Sequence, residues 1–275
     1  EMPVTGSKET EYTIYDMMGL EYDDPKWEAM VSQLTVKQMA SLCMDGGWGT
    51  VSIGSIAKPY CAHADGPSGF NTAMSSMESG YATNYPCETL IASTWNWKLA
   101  YQFGKSVGVE AEAAGISGWY GPACDIHRSP FSGRNFEYYS EDPYISGVMV
   151  SYVVMGAQEK GLYAFVKHFA LADTEPERSG KYTWCTEQAF REIYLKPFEY
   201  SVKLGDTKAM MTAYNRVGSV RASGSYAMNT EVLRNEWGFE GMVISDYYCG
   251  NNAMDEDEFI RSGNDLKLLP GGKAS

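Results

Sequence analysis

After residue 30 the sequence alternates between short apolar runs, typical of buried strands, and longer segments with the spacing of amphipathic helices. Strands separated by helices join through right-handed crossovers, which makes the strands parallel within one sheet. Seven runs are visible, so the pattern predicts an α/β protein, a (β/α) TIM-like barrel lacking one regular strand or helix. The strand-like runs lie at 58–64, 89–94, 116–120, 162–169, 208–214, 241–246 and 264–269.

The beginning of the chain does not follow this pattern. It is polar and continues into the segment YDDPKWEAM, so we interpret residues 1–30 as a linker or arm and residues 31–275 as one barrel domain. At the boundary, LTVKQMASLC has the apolar spacing of a helix, and Thr35 is the expected N-cap.

The charge balance limits the possible partners. With 22 Lys and Arg against 35 Asp and Glu the net charge is -13, which repels phosphate backbones and anionic lipid surfaces. We therefore expect neither a nucleic acid nor a membrane as a partner. The sequence contains no run of about 18 apolar residues and no visible signal peptide, so we expect a cytoplasmic rather than a secreted protein.

Cysteines and histidines offer little material for a metal centre. The six cysteines have no CxxC spacing, which favours reduced structural thiols over a disulfide framework or a zinc site. The three histidines are His63, His127 and His168, and a histidine metal site needs two or three of them clustered. We therefore expect no metal and no cofactor.

Polar residues stand where four of the predicted strands end. Asp65 follows PYCAHA, Lys167 and His168 follow LYAFV, Tyr214 follows AMMTA, and Asp246 follows MVIS. Each has an ordinary structural explanation when taken alone: an N-cap, a solvated charge beside a satisfied imidazole, or a core aromatic. Because the carboxyl ends of barrel strands converge on one mouth, the four ends together predict a site there.

Eight segments carry a family resemblance, and they cover most of the chain after about residue 30. They are DGPSG (65–69), ASTWN (92–96), GPACDIHRSPFSGRNFEYYSEDPYISG (121–147), VKHFALADTEPERSG (166–180), FREIYLKPFEYSV (190–202), AMMTAYNRVG (209–218), LRNEWGFEGMVISDYY (233–248) and SGNDLKLLPG (262–271). In this order and spacing the chain resembles glycoside hydrolase family 3, specifically its β-glucosidase-like, N-terminal-type barrel domain.

The resemblance implies a role for each strand-end residue. Asp246 matches the nucleophile that attacks the anomeric carbon and forms a covalent glycosyl-enzyme, and Asp65 matches the carboxylate that binds distal sugar hydroxyls. Tyr214 matches the tyrosine beside the nucleophile, and Tyr247 stands where many members have a tryptophan against the sugar face. The hydroxyl-binding and nucleophile-supporting positions are matched by Arg134, Lys167, His168 and Arg178.

The chemistry implied by the resemblance suits these residue types. A retaining glycosidase needs one ionised carboxylate on one face of the sugar, so we expect Arg134 and Lys167 to lower the pKa of Asp246. Two positions depart from the family pattern: Asn71 replaces an arginine after the DGP motif, and Asp173 replaces an asparagine after the Lys-His pair. No histidine follows that pair, which disfavours the N-acetylglucosaminidase branch.

Hydrolysis also needs a second carboxyl group as the general acid. The candidates in this chain match supporting or structural segments: Glu137, Glu141, Glu175 and Glu177. In the resemblance the acid comes from a separate α/β sandwich domain packed over the barrel mouth. We therefore expect that domain as a partner outside these 275 residues.

The expected function is retaining hydrolysis of β-D-glucosidic bonds in oligosaccharides or aryl glucosides. Asp65 favours a glucoside over a xyloside, because family members that act on xylosides often carry glutamate in that region. One alternative is a carbohydrate-binding barrel without turnover. Another is an unrelated barrel such as an aldolase, in which Lys167 would form a Schiff base with a carbonyl substrate.

Overall fold

A mostly parallel sheet forms the centre of the molecule. The computed structural model describes residues 5–6, 11–71, 82–247 and 255–269. The strands are β1 Gly49–Thr50, β2 Cys61–Asp65, β3 Ile116–Tyr120, β4 Tyr163–Phe169, β5 Tyr182–Thr183, β6 Ala209–Thr212, β7 Arg216–Val217, β8 Val220–Arg221 and β9 Met242–Ile244. The main sheet has the order β1-β2-β3-β4-β6-β9, in which only the pairing of β1 with β2 is antiparallel. Strands β5, β7 and β8 form a small second sheet.

The main sheet curls into an incomplete TIM-like barrel. Beyond β9 a parallel bridge joins Ile244 to Leu266, and the N–H of Lys267 donates to the carbonyl of Cys43 at 2.8 Å. The last segment of the sheet is thereby brought next to the chain that leads into β1. The side chains that fill the interior are Tyr120, Phe165, Ala209, Met211, Ile244, Leu266 and Leu268. The predicted fold class is confirmed.

Helices cover the outside of the sheet. The α-helices are α1 Pro25–Val31, α2 Val36–Met44, α3 Glu88–Ser93, α4 Trp97–Ala114, α5 Pro143–Gln158, α6 Glu187–Ala189, α7 Lys196–Lys203 and α8 Glu256–Arg261. Two π-helical segments occupy Phe190–Tyr194 and Ala227–Glu236. Short 3-10 turns lie at Ile14–Met17, Gly54–Ile56, Asn135–Glu137 and Ala222–Gly224. Thr35 caps α2 as predicted, because its hydroxyl accepts from the N–H of Gln38 at 3.2 Å.

Helices α4 and α5 approach each other through glycine. A Cβ atom at Gly104 would lie 2.0 Å from the carbonyl oxygen of Val153, and one at Gly156 would lie 2.1 Å from that of Tyr101. Any larger residue would push the helices apart, so these two glycines set the packing distance. The close pair seals the apolar face of β3 and β4, which provide the residues next to the site.

Most of the predicted strands are confirmed, with shorter ends. The run 116–120 is β3 over its full length, and 162–169, 208–214 and 241–246 contain β4, β6 and β9. The run 58–64 is displaced to Cys61–Asp65, and 264–269 contributes only the bridge at Leu266. The strand at 89–94 is wrong, because these residues form α3. Leu90, Ile91 and Ala92 are too short an apolar run for periodicity to separate a strand from one buried helical turn.

The segment interpreted as a linker packs against the rest of the chain. Within residues 11–31, Met17 and Met30 are buried together with Val51, Ile53 and Ile56. Asp24 caps α1 by accepting from the N–H of Lys26 at 2.9 Å. These residues form a small apolar cluster beside the barrel, and the domain boundary at residue 30 stays a prediction.

Candidate active site

The structure brings the polar strand ends together at the carboxyl edge of the sheet. Asp65 ends β2, Lys167 and His168 lie in β4, and Asp246 follows β9 by two residues. The Nζ atom of Lys167 lies 2.9 Å from Oδ1 of Asp65, and Nε2 of His168 lies 3.9 Å from Oδ2 of Asp246. Residues up to 181 positions apart in the sequence (65 to 246) therefore share one site, as the strand ends predicted.

Asp246 is a buried carboxylate aimed into this site. Its side chain is 13% exposed, and Oδ1 accepts a hydrogen bond from the N–H of Tyr247 at 2.7 Å. Burial raises the pKa of Asp246 to about 6, against the opposing effects of Arg134, the Tyr247 N–H and Lys167. Arg134 and Lys167 act to lower this pKa, as expected, but burial outweighs them and the pKa lies above its ordinary value. The cations only limit the increase that burial causes.

Lys167 is buried and forms an ion pair with the partly exposed Asp65. Burial alone would raise the pKa of Asp65, but Lys167, through its charge and its hydrogen bond, holds that pKa below the ordinary value. Burial would likewise lower the pKa of Lys167, and Asp65 and Glu137 reverse the effect and raise it. These partners favour the ammonium form of Lys167, which disfavours the Schiff-base alternative because that reaction needs a neutral amine.

Arg134 is the centre of the charge network. Its Nε lies 2.5 Å from Glu137, its Nη1 lies 3.4 Å from Glu175, and its Nη2 lies 2.9 Å from Nε2 of His168. The loop that carries Arg134 is anchored to helix α3, because the hydroxyl of Thr89 donates to the carbonyls of residues 135 and 138 at 2.8 and 2.9 Å. Arg134 is therefore fixed on three sides before any ligand binds.

His168 is a neutral imidazole. Burial lowers its pKa well below 6.5, and Arg134 and Lys167 lower it further. Its Nδ1 lies 3.0 Å from Oδ2 of Asp125, a carboxylate that the strand-end pattern did not reveal. Burial raises the pKa of Asp125 to about 7, opposed by the N–H of His168 and by Arg134.

Aromatic side chains and Arg178 line the other side. The guanidinium of Arg178 lies 4.7 Å from the centre of the Tyr214 ring and donates to Glu175 at 2.9 Å. The hydroxyl of Tyr214 donates to the carbonyl of Tyr247 at 2.5 Å, which ties this tyrosine to the segment that carries Asp246. The ring of Tyr247 lies 6.0 Å from that of Trp48. All eight predicted site residues thus belong to one connected region.

Several residues of the site were missed or given a lesser role. Asp125 and Trp48 are absent from the sequence prediction, which gives Glu137 and Glu175 only a structural or supporting role. The signal for the acidic residues is their place in the shared segments, since Asp125 and Glu137 accompany Arg134 in 121–147 and Glu175 lies in 166–180. Of the two departures, Asp173 pairs with Arg128, and the N–H of Asn71 donates to the carbonyl of Asp65 at 2.6 Å.

Neither a metal site nor a membrane helix is visible in the part of the chain that the structure describes. Among those residues no group of three or more histidine, cysteine or acidic side chains has the geometry to hold a metal ion. No described helix combines the length and the apolar character that crossing a bilayer requires. The described cysteines, all free thiols, are Cys43, Cys61, Cys87, Cys124 and Cys185.

The comparison with protein families decides the assignment. The family described as "Glycosyl hydrolase family 3 N terminal domain" matches residues 37–265. The chain belongs to this family. The predicted resemblance is thereby confirmed, and the match begins close to the helix α2 that Thr35 caps.

Named relatives of this family 3 chain are β-glucosidases. It is 40% identical over 249 residues to β-glucosidase A of Butyrivibrio fibrisolvens. The aligned region covers 88% of this chain and 29% of that protein. It is 36% identical to a putative β-glucosidase of Schizosaccharomyces pombe over 245 residues, 89% of this chain and 29% of that protein. The chain thus spans less than a third of the length of these relatives.

Solved structures share the fold. β-Glucosidase 3B from Thermotoga neapolitana in complex with glucose superimposes with a TM-score of 0.81 at 37% identity, covering 86% of this chain and 35% of that one. A β-glucosidase from Paenibacillus barengoltzii gives a TM-score of 0.83 at 33% identity, covering 98% of this chain and 31% of that one. In both comparisons the TIM-like barrel of this chain matches about a third of a longer chain.

Proposed function

We propose that this chain is the nucleophile- and sugar-binding part of a retaining β-glucosidase. The observation that carries the proposal is Asp246, a buried carboxylate at a strand end with Arg134, Lys167 and His168 around it. A TIM-like barrel assembles its active site at such strand ends. The named relatives, all β-glucosidases, and the neighbour that holds glucose support the same substrate class.

Asp246 acts as the nucleophile in this proposal. One carboxylate oxygen forms a bond to the anomeric carbon while the bond from that carbon to the leaving oxygen breaks. The product is a glycosyl ester of Asp246, which water then hydrolyses to release the sugar. The attacking form is the carboxylate, so a pKa of about 6 leaves Asp246 mostly ionised at neutral pH.

The surrounding groups suit sugar hydroxyls and positive charge. The ionised Asp65, still 29% exposed in its side chain, can accept hydrogen bonds from hydroxyl groups while Lys167 holds it in place. The flat ring of Tyr247 provides an apolar face for the C–H groups of a pyranose. A β-glucoside in the pocket would therefore meet Asp65 at its distal hydroxyls and Asp246 at its anomeric carbon.

The general acid comes from outside this chain in our proposal. Glu137 and Glu175 both accept hydrogen bonds from Arg134, and Glu175 accepts another from Arg178. These carboxylates are therefore already engaged as acceptors. An acid must instead carry a proton toward the leaving oxygen, about 5 Å from the nucleophile in a retaining enzyme. We assign this role to an α/β sandwich domain packed over the barrel mouth.

A mechanism-based label tests the nucleophile. A 2-deoxy-2-fluoro glucoside with a dinitrophenolate leaving group needs no general acid, so the chain should gain one fluorosugar mass. The modified peptide should be GMVISDYY, which contains Asp246. A label on another peptide would reject the assignment. Glucose binding with no label would favour a carbohydrate-binding barrel without turnover.

A second assay tests the origin of the acid. Alone, the chain should hydrolyse dinitrophenyl β-glucoside slowly and cellobiose hardly at all, because only cellobiose needs protonation of its leaving group. Addition of the α/β sandwich domain should raise cellobiose hydrolysis by about two to four orders of magnitude. Rapid cellobiose hydrolysis by the chain alone would place the acid among its own carboxylates.

A further inference from the structure

Asp125 is a buried carboxylate that accepts hydrogen bonds from the segment carrying Lys167 and His168. It is 2% exposed and stands five residues after the end of β3. Its Oδ2 accepts from the backbone N–H of His168 at 2.9 Å and from Nδ1 of the same residue at 3.0 Å. Its Oδ1 accepts from the N–H of Ala172 at 3.1 Å. One side chain therefore holds both the ring of His168 and the turn that follows β4.

The hydrogen bonds around His168 determine which ring nitrogen carries the proton. A guanidinium can only donate, and Nη2 of Arg134 lies 2.9 Å from Nε2, so Nε2 must be the acceptor. In a neutral ring the proton then resides on Nδ1, where Asp125 receives it. His127 provides the opposite case, because its Nε2 faces two carbonyl oxygens at 2.8 and 2.9 Å and must donate.

We propose that Asp125 is a positioning residue, which orients the His168 ring so that Nε2 holds the Arg134 guanidinium beside Asp246. Hydrogen bonds lead from Asp125 to His168 and from His168 to Arg134, and Nε2 of His168 also lies 3.9 Å from Oδ2 of Asp246. Glu137 and Glu175 hold Nε and Nη1 of Arg134, and His168 is the partner of Nη2 among the described residues.

This inference rests on the proposed function, in which Arg134 supports the charge of Asp246. Arg134 is the foremost of the charged groups that oppose the increase in the pKa of Asp246. Rotation of the His168 ring would take the acceptor Nε2 away from the Arg134 guanidinium, which would then turn toward Glu137 and Glu175. The nucleophile would then lose its main cation without any direct contact between Asp125 and the sugar.

Nitrogen NMR of the histidine rings tests the geometry without any need for activity. The chain has three histidines, so a ¹⁵N-histidine sample resolves each ring, and a His168→Asn variant identifies the signal of interest. At pH 8, above the pKa of Asp125 of about 7, His168 should be protonated at Nδ1 and His127 at Nε2. A charged His168 ring, or one protonated at Nε2, would overturn the proposal.

Two substitutions then separate positioning from charge. Asp125→Leu keeps the approximate size of the side chain but removes both acceptor oxygens, so the hydrogen-bonded Nδ1 proton signal of His168 should weaken or disappear. Asp173→Leu is the matched control, since it removes another buried carboxylate, paired with Arg128, from the segment after β4. An Nδ1 proton that stays unchanged in Asp125→Leu would contradict the positioning role.

The rate of fluoroglucosyl labelling provides the functional readout. In Asp125→Leu the first-order labelling constant should fall about ten-fold or more, because a displaced group near the reacting atoms is costly, while the dissociation constant for glucose stays within about three-fold. Asp173→Leu should label at the rate of the unaltered chain. An equal loss in both variants would indicate a merely structural role. No labelling of the unaltered chain would reject the proposed function, and the ring tautomer would still decide on Asp125.

Discussion

The two ends of the barrel sheet use the same charged residue types in different surroundings. At the carboxyl end, the side chains of Lys167 and Asp246 are 4% and 13% exposed. At the amino end, Lys208 precedes β6 and pairs with Asp206 at 2.7 Å, with side chains 43% and 79% exposed. Burial is what separates the two ends, since ion pairs occur at both.

Burial changes what a charge does to the protein. An exposed pair contributes about 0 to 1 kcal/mol to stability, because water screens it. A buried pair loses hydration that its Coulomb energy repays only with good geometry, so a buried network is weak evidence for stability. The network around Arg134 is therefore explained by the site, and the pair of Lys208 with Asp206 by ordinary surface chemistry.

Loss of Asp246, the proposed nucleophile, should have the largest effect. We expect Asp246→Asn to reduce turnover of dinitrophenyl β-glucoside by several orders of magnitude, because the amide cannot attack the anomeric carbon. The free energy of unfolding should be unchanged or higher, since the substitution removes a carboxylate whose burial raises its pKa. Kinetics and denaturant titration measure both quantities.

Asp265→Asn is the control at the other end of the sheet. Asp265 accepts from Nη2 of Arg234 and from the N–H of Val243, each at 2.7 Å, and lies at the end of the sheet opposite Asp246, so this variant should keep its turnover. Loss of turnover in both variants would mean that the two ends do not differ in function.

The next effect concerns Lys167. Lys167→Met removes a buried cation that faces Asp65 at 2.9 Å and Glu137 at 3.8 Å, and leaves two carboxylates without it. Breaking such a buried pair should lower the free energy of unfolding by about 3 to 5 kcal/mol. Lys208→Met should cost at most about 1 kcal/mol. Denaturant titration at pH 7 compares the two, and similar values would remove the distinction between the ends.

His63 provides a case of burial without an ion pair. Its Nδ1 lies 3.2 Å from the Tyr120 hydroxyl. Burial, and to a smaller extent the charge of Lys58, lowers its pKa to about 3. Between about pH 3 and 6.5 the unfolded chain binds a proton that the folded chain does not, so this residue makes stability fall as the pH falls. At pH 5 its contribution should amount to about 2 kcal/mol.

The measurement is a comparison of unfolding with His63→Phe. The free energy difference between the variant and the unaltered chain should change in favour of the variant by about 2 kcal/mol from pH 7 to pH 5. A constant difference over this range would show that His63 titrates alike in both states.

The smallest effect is the pH dependence of labelling. Asp246 must be ionised to attack and has a pKa of about 6, so the labelling rate should level off above that pH. It should fall about ten-fold for each unit below, and reach roughly a tenth at pH 5. If the labelling rate instead stayed the same down to pH 4, the effect of Arg134 and Lys167 on the pKa of Asp246 would outweigh that of burial.

The sequence by itself determined the family and most of the alternation of strands and helices, and it predicted the residues that meet at the strand ends. Strand β3 coincides with the predicted run over its full length, and in the structure Gly115 ends the preceding helix with a φ of 69° directly before that apolar run. The strand at 89–94 failed because whether Leu90, Ile91 and Ala92 lie in a strand or a helix depends on what packs against them. Local pattern therefore suffices where a stop signal is adjacent, and fails where tertiary contacts decide.

Only the tertiary structure decided the electrostatics of the site. Asp65 and Asp246 are both strand-end aspartates, yet the pKa of the first lies below its ordinary value and that of the second rises to about 6. The difference arises because Lys167 donates a hydrogen bond directly to Asp65. Among the described residues no cation donates a hydrogen bond to Asp246, so the effect of its burial prevails. The tautomer of His168 depends likewise on Asp125 and Arg134. Such distances join segments far apart in the sequence, so folding alone sets them.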